Sequence, residues 1–311
     1  MAGTLFIMIA CLTWALDTLI RYPLLNAGYS TLQIVLAEHI TLFIVTLPLL
    51  IRFRQEFRQM SALSFASLFF IGGIGSAIGT LAFTQAFHYL NPTVVILLQK
   101  LQPLVAIICA SWLLKERIHK GFVYWASIIV IGSLTMIWPD IIGLNHGTLH
   151  YSEDRSEIFL GYGYTLLAVF AWGMATVCGK YLSRTGMSAN AIMSGRFATG
   201  LVVLAAFALV QPEQIITMKH VDIGWLVVMA LLSGLIGMWF YYRGLRQVPA
   251  QVATLAEMTF PVFAALINWL VLGMSLNGFQ ILGACLLIAG NFGIRRQEIS
   301  LPDSQAKMQN V

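Results

Sequence analysis

Ten apolar stretches, most of them long enough to cross a lipid bilayer, constrain this chain more than any other feature of its sequence. They cover residues 3–20, 31–51, 62–88, 93–114, 121–138, 160–180, 188–210, 223–243, 250–272 and 277–294. A membrane-spanning helix needs about 20 mostly apolar residues, and a backbone in lipid must form helices or a closed barrel. Because these runs are longer and more uniformly apolar than barrel strands, they predict an all-α polytopic membrane protein with ten transmembrane helices.

The composition agrees with burial in lipid. Only 10% of the residues are charged and 59% are hydrophobic, whereas soluble domains carry about 25% charged residues. The four cysteines lie inside the apolar runs without a CxxC pair, so we interpret them as packing residues and predict neither a metal site nor a cofactor.

The placement of the basic residues predicts the topology. If the N-terminus is cytoplasmic, 13 of the 18 Lys and Arg residues fall in cytoplasmic loops or the C-terminal tail, and three, Arg21, Arg155 and Lys219, fall in outer loops. Cytoplasmic loops are normally the ones enriched in Lys and Arg. We therefore expect both termini in the cytoplasm, and we attribute the basic pI to topology and predict no nucleic-acid partner.

The sequence repeats itself at an offset of 158 residues. Matched pairs include Gly3 with Gly161, Trp14 with Trp172, Gly79 with Gly237, Pro103 with Pro261 and Gly132 with Gly290. Five helices are an odd number, so the second copy must cross the membrane in the opposite sense, as in many secondary transporters. This predicts a first five-helix repeat at 1–140, an external linker at 141–158, a second, inverted repeat at 159–296 and a cytoplasmic tail at 297–311.

The linker region contains several side chains that could bind a metal or ligand. These are His146, His150, Glu153, Asp154 and Glu157. A solvated connection between the two repeats is the interpretation that we prefer, and the ligand role stays open.

Ionisable residues inside the apolar runs are the main candidates for function. A charge at the bilayer centre costs at least about 2.5–3.5 kcal/mol, so such residues normally face protein or a wet cavity. The repeat offset places Glu38 opposite Arg196, and Gln99, next to Lys100, opposite Glu257. The opposite signs within Glu38–Arg196 and Lys100–Glu257 fit either structural ion pairs or a site for a zwitterionic substrate.

We predict a substrate pathway from these residues and their polar or aromatic neighbours. The predicted pathway residues are Glu38, Lys100, Arg196, Glu257, Gln99, Gln102, Trp14, Trp172 and Tyr241. Glu38, His39 and Glu257 are the candidates for carrying a coupled proton. Asp17 lies four residues before Arg21, so it either belongs to the pathway or forms a helical ion pair.

Two helix motifs are similar to those of the EamA branch of the drug/metabolite transporter superfamily. One runs from Asn91-Pro92 through Gln102-Pro103 to Lys115-Glu116-Arg117, and the other from Pro249 through Phe260-Pro261. The resemblance implies ten helices with cytoplasmic ends and, in many members, export of amino acids or related metabolites. The chain departs from the pattern at Glu38-His39, where the family often has arginine, and at Leu272-Gly273-Met274, which lacks the acidic turn.

These observations predict a secondary transporter that exports small polar metabolites by alternating access. A bacterial inner membrane is the expected location, and the partners are a small-molecule substrate and lipid. A channel or scaffold is the alternative. The sequence has no HExxH, GxSxG or GxxxxGK[ST] motif, so we predict neither an enzyme nor an ATP-driven pump; an intramembrane serine hydrolase would have to use Ser76 with His88.

Overall fold

A computed structural model describes residues 2–113, 121–141, 155–248, 256–257 and 259–299. Helices make up nearly all of this part of the chain, and it contains no β-strand. The longer helices are α1 (Ala2–Asn26), α2 (Thr31–Arg52), α3 (Ala62–Ala86), α4 (Pro92–Leu113), α5 (Phe122–Ile141), α6 (Arg155–Arg184), α7 (Ala189–Val210), α8 (His220–Gln247), α9 (Thr259–Leu272) and α10 (Gly278–Ile299).

Seven of these helices, α1 to α4 and α6 to α8, are long and apolar enough to cross a membrane. Shorter apolar helices cover Phe122–Met136, Thr259–Leu272 and Gly278–Gly290. The all-α membrane class predicted from the apolar runs is confirmed, and the count of ten spans stays a prediction. The linker residues 142–154, including His146 and His150, and the tail from residue 300 onward lie outside the described residues.

Three helices depart from regular α geometry near their centres. In α4 a 3-10 turn at Gln99–Leu101 precedes Pro103; proline lacks an N–H, and its ring crowds the carbonyl four residues earlier. In α3 and α8, π-helical segments cover Phe70–Ile78 and Ala230–Gly237. The two π segments occupy nearly equivalent places in the two halves, and irregular turns of this kind are frequent at functional sites.

Contacts between the two halves occur in equivalent pairs. A contact from a residue of the first half to one of the second is matched by the contact between the residues at the corresponding repeat positions. A Cβ placed on Gly79 would lie 2.9 Å from Trp172 Nε1, and one on Gly237 would lie 2.8 Å from Trp14 Nε1. Both indole rings therefore need a glycine on the facing helix, because any larger residue would displace them.

Hydrogen bonds also join the halves at both ends of α2. At its start, the hydroxyl of Ser30 donates to the carbonyl of Gln214 at 2.7 Å. Beyond its end, the backbone N–H of Ser188 donates to Glu56 Oε2 at 2.7 Å. Ser188 is equivalent to Ser30 at the offset of 158, and Gln214 is equivalent to Glu56. The two hydrogen bonds are therefore an equivalent pair, like the two glycine–tryptophan contacts.

At the α1–α2 loop, two more hydrogen bonds join the halves. The hydroxyl of Tyr29 donates to Asp222 Oδ2 at 2.6 Å and accepts from the backbone N–H of Lys219 at 3.1 Å. The hydrogen bond to the Asp222 carboxylate raises the pKa of Tyr29, because ionising the phenol would remove the donated proton. The hydrogen bond to Asp222 therefore persists throughout the neutral pH range.

Close packing of α3 against α7 gives a first stability prediction. A Cβ on Gly72 would lie 1.8 Å from Thr199 Oγ1 and 2.4 Å from the carbonyl oxygen of Arg196. Gly72→Ala should therefore force α3 and α7 apart and destabilise the protein by about 1–3 kcal/mol. The melting temperature of the purified protein in detergent measures this effect.

Gly163→Ala is the matched control, since a Cβ at that helical position meets no heavy atom within 4 Å. Equal melting temperatures for the two variants would contradict the described packing of α3 on α7.

Candidate functional site

A central cavity of about 170 Å³ lies among helices from both halves. All the residues predicted to form the pathway or to carry a proton line this cavity: Glu38, Lys100, Arg196, Glu257, Gln99, Gln102, Trp14, Trp172, Tyr241 and His39. The structure thus brings them together at one site, while their roles in transport remain predictions.

A buried ion network lies on one wall of the cavity. Arg21, which is 3% exposed, pairs through Nε with Asp17 Oδ2 at 2.6 Å and through Nη2 with Glu38 Oε2 at 2.8 Å. Nη1 of Arg21 donates to Thr84 Oγ1 at 3.2 Å, and the hydroxyl of Ser233 donates to Asp17 Oδ1 at 2.7 Å. Asp17 therefore both forms the helical ion pair and lines the cavity.

The position of Arg21 corrects the sequence analysis, which placed this residue in an outer loop. It lies inside α1, because that helix continues past the predicted end of the apolar run to Asn26. Its charge is compensated by two carboxylates, so the cost of burying it is reduced.

Arg196 has a different environment. Its Nε donates to Ser76 Oγ at 3.0 Å, and its Nη1 lies 3.8 Å from Met238 Sδ. Within the part of the chain that the structure describes, no carboxylate forms an ion pair with Arg196. The first of the two alternatives for Glu38 and Arg196, a structural ion pair, is therefore not found there, because Glu38 is paired with Arg21.

His39 is almost completely buried, with 1% of its surface exposed. Its Nδ1 lies 2.9 Å from the carbonyl oxygen of Val35 and its Nε2 lies 3.0 Å from Ser76 Oγ. A carbonyl oxygen only accepts, so Nδ1 carries a proton and donates to Val35; in the neutral imidazole Nε2 then accepts from the serine hydroxyl. Both ring nitrogens of His39 are thus engaged.

Lys100 lies in the 3-10 turn of α4 and is close to Glu257, which precedes α9. The ammonium of Lys100 donates to the backbone carbonyl of Glu257 at 3.0 Å and lies 4.9 Å from the ring centre of Phe260. Glu257 occupies a turn directly before α9, where its carbonyl also accepts from the N–H of Phe260 at 3.1 Å.

Two buried acceptor oxygens at this place lack a hydrogen-bond partner among the described residues: Gln99 Oε1 and Glu257 Oε1. Both residues are 8% exposed and line the cavity, and they are equivalent at the repeat offset. A buried acceptor without a donor is costly, so both oxygens are suited to accept hydrogen bonds from a bound solute.

Aromatic rings form two walls of the cavity. The ring centre of Trp14 lies 5.3 Å from that of Tyr241, and the ring centre of Trp172 lies 5.0 Å from that of Phe83. Phe83 and Tyr241 are equivalent at the repeat offset, so these two contacts are again an equivalent pair. The rings offer apolar faces that pack against planar or cationic groups.

The sequence analysis missed several residues of the site. The missed lining residues include Arg21, Ser76, Phe83, Thr176, Ser233, Tyr242 and Phe260. The repeat offset contained a signal for Phe83, which matches Tyr241, and for Phe260, which matches Gln102.

An apolar helical chain whose centre holds a cavity lined by charged and aromatic side chains defines a class: a multi-pass membrane transport protein. The sequence model described as the EamA-like transporter family matches residues 1–138 and 159–296. The chain therefore belongs to the EamA-like transporter family, and both the family and the names of relatives indicate a transporter and not an enzyme.

Relatives cover nearly the whole chain. The riboflavin transporter ImpX of Fusobacterium nucleatum is 28% identical over 300 residues, covering 92% of this chain and 95% of its own. Protein LicB of Haemophilus influenzae is 22% identical over 298 residues, covering 93% and 96%. The uncharacterized transporter YyaM of Bacillus subtilis is 25% identical over 237 residues, covering 75% and 72%.

A solved crystal structure of a protein that is 13% identical superposes on this chain with a TM-score of 0.62. The match covers 96% of this chain and 99% of the other. At this identity the similarity shows a shared fold alone.

Proposed function

We propose that this protein is a secondary transporter that binds small polar metabolites, amino acids or related compounds, in the central cavity and exports them by alternating access. The observation that supports this proposal most directly is that charged and aromatic side chains from both halves converge on one cavity. This cavity lies beside the 3-10 turn at Gln99–Leu101 and the turn at Glu257. Interrupted helices at equivalent places in two repeats are where transporters commonly bind substrate.

The proposal includes ten membrane spans arranged as two inverted repeats of five helices. Contacts in equivalent pairs support it. A Cβ placed on Gly3 would contact Gln247 and Val248 of the second half. A Cβ placed on Gly161 would contact Tyr89 and Leu90 of the first half, which are the equivalent positions at the repeat offset. A two-fold relation between the halves produces such pairs, and it lets one arrangement open toward either side of the membrane.

Hydrogen bonds between the halves at both ends of α2 support a carrier and not a fixed pore. The end at the α1–α2 loop is held by Tyr29 and Ser30, and at the opposite end the described residues include the hydrogen bond from Ser188 to Glu56. Alternating access requires that one end be closed while the other is released. The hydrogen bonds at Tyr29 favour a state closed at that end.

Glu257 is the residue we propose for carrying a coupled proton. Of the three candidates, Glu38 is held in the ion network and both nitrogens of His39 are engaged. Glu257 keeps an oxygen without a hydrogen-bond partner among the described residues. This open carboxylate oxygen is a place where a proton can bind.

The size of the cavity favours a compact solute. An engineered apolar cavity of about 150 Å³ in another protein holds one benzene molecule, and this cavity measures about 170 Å³. An amino acid with a ring side chain fits this scale. A flavin is the second candidate, supported by the riboflavin transporter among the relatives and by the aromatic walls, and it would need a wider state of the cavity.

Counterflow in liposomes tests the proposed function. Purified protein in liposomes loaded with unlabelled compound is given the labelled form outside, using phenylalanine, tryptophan, smaller amino acids and riboflavin, each with and without a proton gradient. We expect saturable accumulation of at least one compound, as a carrier predicts. Flux that does not saturate would support a channel, and no flux for any compound would contradict the proposed substrate range.

Export and orientation are tested in cells. The proposal places the protein in a bacterial inner membrane with both termini in the cytoplasm, so a fluorescent protein fused after residue 311 should fluoresce. Alkaline phosphatase inserted in the linker 141–158 should be active outside. Expression should lower the cellular level of the transported compound; a rise would indicate uptake.

A further inference from the structure

The two arginines that line the cavity contact different kinds of acceptor. Arg21 contacts two carboxylates, those of Asp17 and Glu38. Arg196 contacts the neutral acceptors Ser76 Oγ and Met238 Sδ, and no carboxylate among the described residues pairs with it. A thioether is a weak acceptor, so the terminal nitrogens of Arg196 retain donor capacity that faces the cavity.

A chain of hydrogen bonds fixes the orientation of Arg196. The carbonyl of Val35 accepts from Nδ1 of His39, so in the neutral imidazole Nε2 of His39 is the acceptor for the hydroxyl of Ser76. The serine oxygen is then oriented to accept from Nε of Arg196 at 3.0 Å. Each donor has one acceptor in this chain, and its members Ser76 and His39 are 2% and 1% exposed.

The surrounding helix leaves no space for His39 to turn away. A Cβ on Gly200 would lie 2.9 Å from His39 Cδ2 and 3.2 Å from Nε2, so the imidazole sits directly against the backbone of α7. The ring of Phe197 meets the imidazole edge to face, with the two ring centres 6.2 Å apart. His39 is therefore a rigid support for Ser76.

This support exists in one half only. At the repeat offset His39 corresponds to Phe197, Ser76 to Gly234 and Arg196 to Glu38. The fold itself does not need the chain of hydrogen bonds, because the other half packs with an apolar ring and a glycine at the same places.

We propose that Arg196 is an anion subsite, which binds a carboxylate or phosphate group of the transported solute, and that Ser76 and His39 are positioning residues that aim its guanidinium. The inference deepens the proposed function and rests on it. Because Nε is occupied by Ser76, the two terminal nitrogens bind the anion, and a partly buried arginine without an acidic partner gains a charge-assisted hydrogen bond from one.

Small aromatic probes test the subsite without knowledge of the natural substrate. Benzoate, phenyl phosphate and benzyl alcohol carry the same ring with a carboxylate, a phosphate and a neutral group. We expect saturable increases of the melting temperature with at least one of the two anions and not with benzyl alcohol. The stronger of the two anions identifies the group that the site prefers.

Variants separate the roles of the residues. Arg196→Gln should weaken anion binding about tenfold or more, the loss expected for hydrogen bonds to a charged group. Ser76→Ala and His39→Phe should each weaken it about threefold. In an Arg196→Lys background, Ser76→Ala should have no further effect on anion binding, because lysine has no Nε for the serine to hold. If Arg196→Gln does not fold, Arg196→Lys replaces it in the binding measurements.

Ser194→Ala is the control, since Ser194 is 1% exposed and its hydroxyl donates to the carbonyl of Ala191 within its own helix. The proposal is overturned if neither anion stabilises the protein or if Arg196→Gln binds them equally well. An equal effect of Ser76→Ala in both backgrounds would reduce Ser76 to a packing residue. Counterflow of any compound alongside such results would leave the proposed function intact.

Discussion

Arg21→Gln is expected to prevent stable folding of the protein. The substitution leaves the carboxylates of Asp17 and Glu38, which are 8% and 6% exposed, beside each other without a cation. Removing one partner of a buried ion pair typically costs about 3–5 kcal/mol, a large part of the stability of most proteins. The measurement is the yield of monodisperse protein in detergent, together with its melting temperature.

Two comparisons make this prediction specific. Arg58→Gln removes an exposed arginine from the short helix Arg54–Arg58 and should leave the yield unchanged. Combining Arg21→Gln with Asp17→Asn and Glu38→Gln removes the unbalanced charge and should recover much of the lost yield. Normal stability of Arg21→Gln alone would show that the described ion network is wrong.

The helices and the membership of the cavity could be predicted from the sequence because each rests on one-dimensional information. A charge within an apolar run must face protein or water, and the repeat offset identifies which faces of the two halves correspond. Together these rules found Glu38, Lys100, Arg196 and Glu257, all of which line the cavity.

The pairing of the charges could not be predicted, because it depends on tertiary contacts. Sequence offered Arg196 as a partner for Glu38, and the structure pairs Glu38 with Arg21. Arg21 was excluded by where the apolar run ended, whereas the helix continues through Pro23 to Asn26. Helix ends set by packing are not encoded in hydropathy alone.

The contact between Lys100 and Glu257 could not be predicted from the sequence for a different reason. From the sequence, an ion pair between the side chains and a substrate site were both open, and the structure shows that Lys100 Nζ donates to the backbone carbonyl of Glu257. This carbonyl is accessible because Glu257 lies in a turn before α9. Pattern analysis sees charges and helical faces, and it does not see which backbone groups an interrupted helix leaves open.

Glu257→Gln is expected to separate proton coupling from substrate exchange. Glutamine keeps the size of the side chain and cannot take up a proton, so an imposed proton gradient should no longer drive accumulation in liposomes. Counterflow should continue at a rate within about fivefold of the unmodified protein, since exchange of solute for solute needs no net proton movement and a single neutral hydrogen bond is worth about 1 kcal/mol.

The control for this experiment is Glu157→Gln, an exposed glutamate in the first turn of α6, which should keep both activities. If Glu257→Gln still responds to the gradient, the coupled proton is carried elsewhere. Glu38 is then the next carboxylate to test, as Glu38→Gln combined with Asp17→Asn and Arg21→Gln so that no buried charge is left unbalanced. Loss of counterflow and coupling together would instead assign Glu257 to solute binding, because its unpartnered oxygen then holds the solute and not the proton.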